Sequence, residues 1–288
     1  MADFEAIVIG AGHNGLTAAA KLQQSGLHTV CLDAKLYAGG MASTVELFDG
    51  YRFEIAGSVQ FPTSAVLSRD LGLDTLPAVD LDVVSVALRG IGDDPLIYYS
   101  DPMKLLTHLN DVHGAEAVNG MAGIMAWSQA PTRALGRFEV GQPPKTFDEM
   151  YACATNEFER SSINEMLFGS VTDVLDRYFP DKEKHGVLRG MLAFLALNMT
   201  YRGPETPGSA AALAFGLAMP DATALQMKKL RGGIGALTSH LHARLVAHGG
   251  EVRLRSKVTQ ILTSGGRVTG VALEDGSTIT APVVVSCV

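Results

Sequence analysis

The stretch AIVIGAGHNGLTAAAKLQQSG, residues 6–26, constrains the fold more than any other part of the chain. Ala6–Ile9 is apolar at every position, as strands buried on both faces of a parallel sheet are. Gly10, Gly12 and Gly15 then take the spacing G-x-G-x-x-G. Asn14–Gln24 reads as a helix with Leu16, Ala19, Ala20 and Leu22 near one face, and Gly26 as its stop. HTVCLD at 28–33 reads as a second strand ending in an acid, so the pattern is β-α-β.

Each glycine has its own task in such a turn. Gly10 permits the sharp exit from the strand, Gly12 opens the backbone to a pyrophosphate, and Gly15 lets the helix pack closely on the sheet. The helix start presents N–H groups and a partial positive charge to phosphate. The expected cradle is therefore Gly10, Ala11, Gly12, His13, Asn14 and Gly15; His13 and Asn14, at the helix start, act through their backbone N–H groups alone or also through side chains in reach of the ligand. Asp33 lies 18 residues past Gly15, where a carboxylate accepts hydrogen bonds from ribose hydroxyls; Ala34 and Lys35 continue that contact. No Arg adjoins Asp33, which favours FAD or NAD over NADP, and Lys35 weakens that preference slightly. A glycine turn by itself serves packing as readily as binding. One set between a strand, a helix and a strand-terminal acid points to a dinucleotide.

YAGGMASTVELFDGYRFEIAG at 37–57 separates the candidates. Gly39 and Gly40 begin six residues after Asp33. A second glycine pair so close is not expected of a simple nicotinamide domain. It suggests backbone returning alongside an extended cofactor, FAD. Together, VIGAGHNGLTAA, Asp33, GGMAST and GYRFE resemble the FAD-dependent amine oxidase and phytoene desaturase superfamily. GAGHNGL is most similar to its carotenoid-dehydrogenase-like branch, that of pyridine nucleotide-disulfide oxidoreductase domain-containing protein 2. LRGGIGALTSHLHARLVAHGGEVRLRSKVTQI at 230–261 resembles the family's later return to its FAD domain, and VTGVALEDGSTITAPVVVS at 268–286 the hairpin and strand after it.

The resemblance implies a pyrophosphate on Gly10–Gly15 and a ribose on Asp33. It also implies Gly39, Gly40, Met41 and Ala42 along the ribityl and pyrophosphate region, and the adenine against the backbone of Val258. Disulfide chemistry is not expected, because the chain has no redox CxxC pair. Two departures stand out. The family often has an acid, one residue and then Gly after this aromatic. Here Glu54 is followed by Ile55, Ala56 and Gly57, so Glu54 receives no role. The relatives also run considerably beyond the length of this chain, into more substrate domain and a C-terminal FAD segment.

Between the two halves of this pattern, residues 80–99 read as a hairpin about Gly90–Asp94. Helices follow over 101–140, from an Asp-Pro start, and again over 147–200, with GQPPKT at 141–146 as a break. YRGPETPGS at 201–209 reads as a loop and 210–219 as a small-residue apolar helix. The expected fold class is α/β: a Rossmann-like FAD/NAD(P)-binding domain with an inserted, mainly helical substrate domain. The FAD-binding parts are expected at 1–75 and 220–288, and the substrate domain at 76–219.

The net charge of −7 argues against a nucleic-acid partner. The apolar stretches fall short of the ~20 residues that span a bilayer. Cys31, Cys153 and Cys287 are scattered, which suggests a reducing compartment, and Met1–Glu5 is too short for a signal peptide. The expected location is cytoplasmic. His108, His113, His185, His240, His242 and His248 form no metal spacing, so no metal is expected, and no catalytic side chain is named. That fits a flavoenzyme, whose cofactor itself accepts the hydride. The expected function is FAD-dependent hydride removal from an apolar or amine-bearing small molecule. The resemblance adds a link to mitochondrial function in eukaryotic relatives. Two readings of other classes stay open: a non-catalytic FAD- or partner-binding protein, and a truncated fragment of a longer flavoenzyme.

Overall fold

The computed structural model describes residues 2–58, 64–88, 90, 95–136, 143–217 and 228–288. The chain divides into two compact units, Met1–Asp80 with Lys228–Val288, and Leu81–Met227. The first unit opens with β1 (Ala6–Ile9), α1 (His13–Gln24) and β2 (Thr29–Leu32). It continues with β3 (Thr44–Phe48), β4 (Tyr51–Glu54), α2 (Ala65–Leu71) and β5 (Ala78–Asp80). The second unit begins with β6 (Val83–Ala87), β7 (Leu96–Tyr99), α3 (Pro102–His113) and α4 (Ala115–Leu135). Five helices follow: α5 (Phe147–Tyr151), α6 (Glu157–Phe168), α7 (Val171–Tyr178), α8 (Gly186–Thr200) and α9 (Ala210–Leu217). The chain re-enters the first unit through β8 (Lys228–Leu230), α10 (Gly235–Ala247) and β9 (Glu251–Arg253). Four strands complete it: β10 (Val258–Ser264), β11 (Arg267–Leu273), β12 (Thr278–Thr280) and β13 (Val283–Ser286).

The first unit is built on a parallel sheet in the order β13-β1-β2-β9. Every residue of β1 and β2 is buried, and the period of two decides what each one meets. Val8 and Cys31 pack with Leu16, Ala19 and Ala20 of α1 and with Leu241 and Leu245 of α10. Ile7, Ile9, Val30 and Leu32 pack with Val271 and Ile279 of the antiparallel sheet β10-β11-β12. The sheet is thus covered by two helices on one face and a second sheet on the other. This is why Ala6–Ile9 is apolar throughout rather than alternating. Each fully buried Leu or Ile contributes roughly 1.5–3 kcal/mol. Burial, with Asp33 nearby, pushes the Cys31 thiol up to about 12, so it stays protonated and serves as a packing group. β5 and β8 form an antiparallel pair, Ala78 opposite Leu230, where the chain leaves this unit and comes back.

In the second unit α4 is the central element, burying Met121, Ile124 and Trp127 with Ile163, Met166 and Phe179. The Asp-Pro start is observed: Asp101 accepts hydrogen bonds from the N–H groups of Met103 and Lys104, and Pro102 opens α3. Within the helical region 147–200, SSINEMLFGSVTDVLDRYF contains a break. Gly169 ends α6, and Ser170 starts α7 through a reciprocal capping box with Asp173. β6 and β7 pair as the hairpin reading expects; most of its turn, at 91–94, lies outside the described residues, as do 141–142 and 218–219.

His113 and His185 lie 6.2 Å apart between ring centroids. Among the described residues neither ring nitrogen of buried His185 has a partner, nor has Nε2 of His113. Burial holds both imidazoles below the ordinary histidine value of 6.5. The unfolded chain therefore takes up protons that the folded unit refuses. Their contribution is intact above about pH 6.5 and is lost as pH falls below it. Urea midpoints of the chain are expected to fall between pH 7.5 and pH 5.5, and His185→Phe is expected to flatten that fall.

Candidate dinucleotide site

The glycine turn sits between β1 and α1. Gly10 has φ +98° and donates its N–H to the Leu32 carbonyl at 2.7 Å, tying the exit of β1 to the end of β2. A Cβ on Gly15 would lie 1.7 Å from the Gly10 carbonyl oxygen. Helix α1 can lie this close to the turn only because that atom is missing. Gly12 is different. A Cβ there would have only the Gly40 Cα within reach, at 4.0 Å, so this face of the turn is open. Gly12 also caps α1 without any side-chain hydrogen bond to the helix start. The first N–H groups of a helix have no intrahelical acceptor, and here they surround an open, side-chain-free face.

The second glycine pair lies against the first. Gly39 donates to the Ala11 carbonyl at 2.6 Å and forms a parallel bridge with Gly12. Gly39 and Gly40 take φ of +113° and +57°, conformations that favour glycine. A Cβ on Gly40 would stand 3.2 Å from the Gly12 Cα. Met41 is exposed and Ala42 buried in the short helical turn that follows.

Asp33 is held at the same place. Its Oδ2 accepts the Ala11 N–H at 2.7 Å and its Oδ1 the Lys35 N–H at 2.8 Å. Each carboxylate oxygen keeps a further lone pair for a hydroxyl donor. Ala34 and Lys35 are exposed, His13 is half-buried and Asn14 is exposed. Residues 253–256 run alongside: Asp33 donates to the Arg253 carbonyl, Arg255 to that of Lys35 and Ser256 to that of Asp33. Val258 begins β10 just beyond, half-buried against the core. The structure thus gathers Gly10–Gly15, Asp33–Lys35 and Gly39–Ala42 around one turn, with the approach to Val258 beside them. A cradle that a Cβ would fill, a helix N-terminus and a fixed carboxylate fit a pyrophosphate and its ribose.

Three side chains at this loop have no place in the sequence reading: Thr44, Glu54 and Thr238. They bond to backbone across roughly 180 residues or more of chain, a distance no local spacing rule covers. Among the described residues no group of three or more His, Cys, Asp or Glu side chains is placed to hold a metal, and no helix is long and apolar enough to cross a membrane. The second unit contains a cavity of about 560 Å³ between β6 and α8. Val86, Val187, Met191 and Phe194 line it, with Lys182 and Glu183 as charged wall residues.

Gly15→Ala is expected to cost more than about 4 kcal/mol, because backbone blocks the added methyl. The urea transition of the purified variant checks this; a transition like the parent's would contradict the packing described.

The chain is 26% identical over 324 residues to mouse pyridine nucleotide-disulfide oxidoreductase domain-containing protein 2, covering 99% of this chain and 53% of that protein. It is 26% identical over 297 residues to a phytoene desaturase of Cercospora nicotianae, covering 98% of this chain and 44% of the relative. The chain thus spans about half the length of these relatives. Among solved structures, a putrescine oxidase bound to putrescine superposes with a TM-score of 0.64 at 16% identity, over 98% of this chain and 57% of that one. That likeness establishes the α/β, Rossmann-like fold. The family described as flavin containing amine oxidoreductase matches residues 15–288, and the chain belongs to it.

Proposed function

We propose that the protein is an FAD-dependent oxidoreductase that removes a hydride from a small molecule. One observation carries the reading: the open face of Gly12 lies beside the Gly39–Gly40 backbone and the Asp33 carboxylate. A single glycine turn would serve a nicotinamide dinucleotide as well. The second backbone strand at the same turn supports the longer cofactor, as does membership of a flavin-containing family.

In this reading the N–H groups of Gly12, His13, Asn14 and Gly15 face the pyrophosphate, Gly10 sets the turn that aims them, and the Ala11 N–H, held by Asp33, ties that turn to the acid. Asp33 accepts the adenosine ribose hydroxyls, with Ala34 and Lys35 flanking it. Gly39, Gly40, Met41 and Ala42 follow the pyrophosphate and ribityl chain, and the Val258 backbone meets the adenine. FAD, when bound, supplies the hydride acceptor. We assign cofactor binding to 1–75 and 220–288 and substrate binding to 76–219. The apolar cavity between β6 and α8 supports an apolar substrate, since apolar walls with few charged groups suit such ligands. Three free cysteines, one deeply buried, support a reducing compartment such as the cytoplasm.

Gly12→Ala tests the cradle. The added methyl meets only the Gly40 Cα at 4.0 Å, and Gly12 has φ −73°, so folding should survive. FAD affinity is expected to fall about 10-fold or more, because the methyl occupies the phosphate's approach. Flavin fluorescence titration reads the dissociation constant and a urea melt the fold. Unchanged affinity in a folded variant would overturn the cradle.

A further inference from the structure

We propose that Thr44, Glu54 and Thr238 are positioning residues that fix the Gly39–Ala42 loop for the cofactor, by using the start of α10 as a brace; this rests on the FAD reading above. Within the loop the Ala42 N–H donates to the Gly39 carbonyl, and side chains contribute little at its start. Gly39 and Gly40 carry no side chains, and both adopt left-handed backbone. One side of the loop is tied to the first glycine turn through the Gly39 N–H and the Ala11 carbonyl. The other side is held by the Ser43 hydroxyl, which donates to the Gly40 carbonyl at 2.8 Å, and by the Gly57 and Ile55 N–H groups, which donate to the Met41 and Ser43 carbonyls; the later segment of the chain adds ties of its own.

That segment supplies three bonds. The Ile234 N–H donates to Glu54 Oε1 at 2.9 Å, and the Gly235 N–H donates to Thr44 Oγ1 at 2.8 Å. The Thr238 hydroxyl donates to the Ala42 carbonyl at 2.9 Å. Ile234 and Gly235 open α10, whose own residues offer no side-chain cap. Its first N–H groups need outside acceptors, and β3 and β4 provide them from the other end of the sequence. The Glu54 carboxylate also sits favourably at the positive end of the helix dipole and pairs with Lys229 at 3.1 Å.

The packing leaves no slack. A Cβ on Gly235 would lie 2.6 Å from the Thr44 backbone nitrogen, one on Gly233 2.6 Å from Thr44 Oγ1, and one on Gly39 2.7 Å from Thr238 Oγ1. Gly235 therefore meets the backbone at Thr44, while Gly233 and Gly39 meet the hydroxyls of Thr44 and Thr238, and the hydroxyls and the Glu54 carboxylate fix the register. This accounts for an acid at 54 without the acid-x-Gly pattern: its oxygens point into the brace rather than depending on the residues that follow it.

The test compares paired variants by flavin fluorescence titration and urea melts on the full chain. Thr44→Val and Glu54→Leu remove the acceptors, whereas Thr44→Ser and Glu54→Gln keep an oxygen in place. FAD affinity is expected to fall about 10-fold in the first two and to stay within about 3-fold of the parent in the second two. Hydrogen exchange on the parent provides a second readout, independent of whether Thr44→Val and Glu54→Leu fold. FAD is expected to slow the Ile234 and Gly235 amides together with those of Gly39–Ala42, although the former donate to the brace and not to the cofactor. Protection confined to Gly39–Ala42 would overturn the brace, as would parent-like affinity in folded Thr44→Val and Glu54→Leu. A parent that takes up no FAD would instead overturn the FAD reading on which the brace rests.

Discussion

The first unit depends on places where backbone meets backbone with no side chain between. The carbonyl of Gly10 fills the space a Gly15 side chain would need, and the Gly39 N–H reaches the Ala11 carbonyl. Close approach of this kind costs backbone entropy, because glycine loses more freedom on folding than other residues. The buried sheet beneath offsets that cost: β1 and β2 are packed on both faces, and their ends hold the turn steady. Both glycine loops are thus carried on a rigid platform, which is where a binding site with little conformational freedom belongs.

Asp33 extends the same logic from backbone to charge. Its carboxylate lies at the end of β2 and accepts N–H groups from the first glycine turn and from its own loop, so turn and acid are fixed together. A ligand that bridged the two would meet groups already in position and would lose little in ordering them. The second unit is organised differently. Its helices pack around α4 through large apolar side chains, and its cavity has Val86, Leu88, Val187, Met191 and Phe194 among its walls.

The parts legible in the sequence are those whose causes are local. Gly10, Gly12, Gly15 and Asp33 fall within a single β-α-β segment, so spacing alone carries their geometry. Gly39 and Gly40 were near enough for their return to the first turn to be inferred. Glu54 shows the limit. Its acceptor role exists only because α10 begins beside it in space, and residues 54 and 234 share no periodicity that could announce this. Thr44 and Thr238 were silent for the same reason. The break at Gly169 between α6 and α7 is hard to place in the sequence on a different ground: the apolar pattern runs on through both helices, and only the Ser170–Asp173 capping box marks the new start.

The most direct test of the central claim is the visible absorption spectrum of the purified chain, with any released cofactor identified after denaturation. The account predicts flavin absorption and release of FAD. A folded, colourless chain that takes up no added FAD, or one that releases a nicotinamide dinucleotide instead, would contradict it.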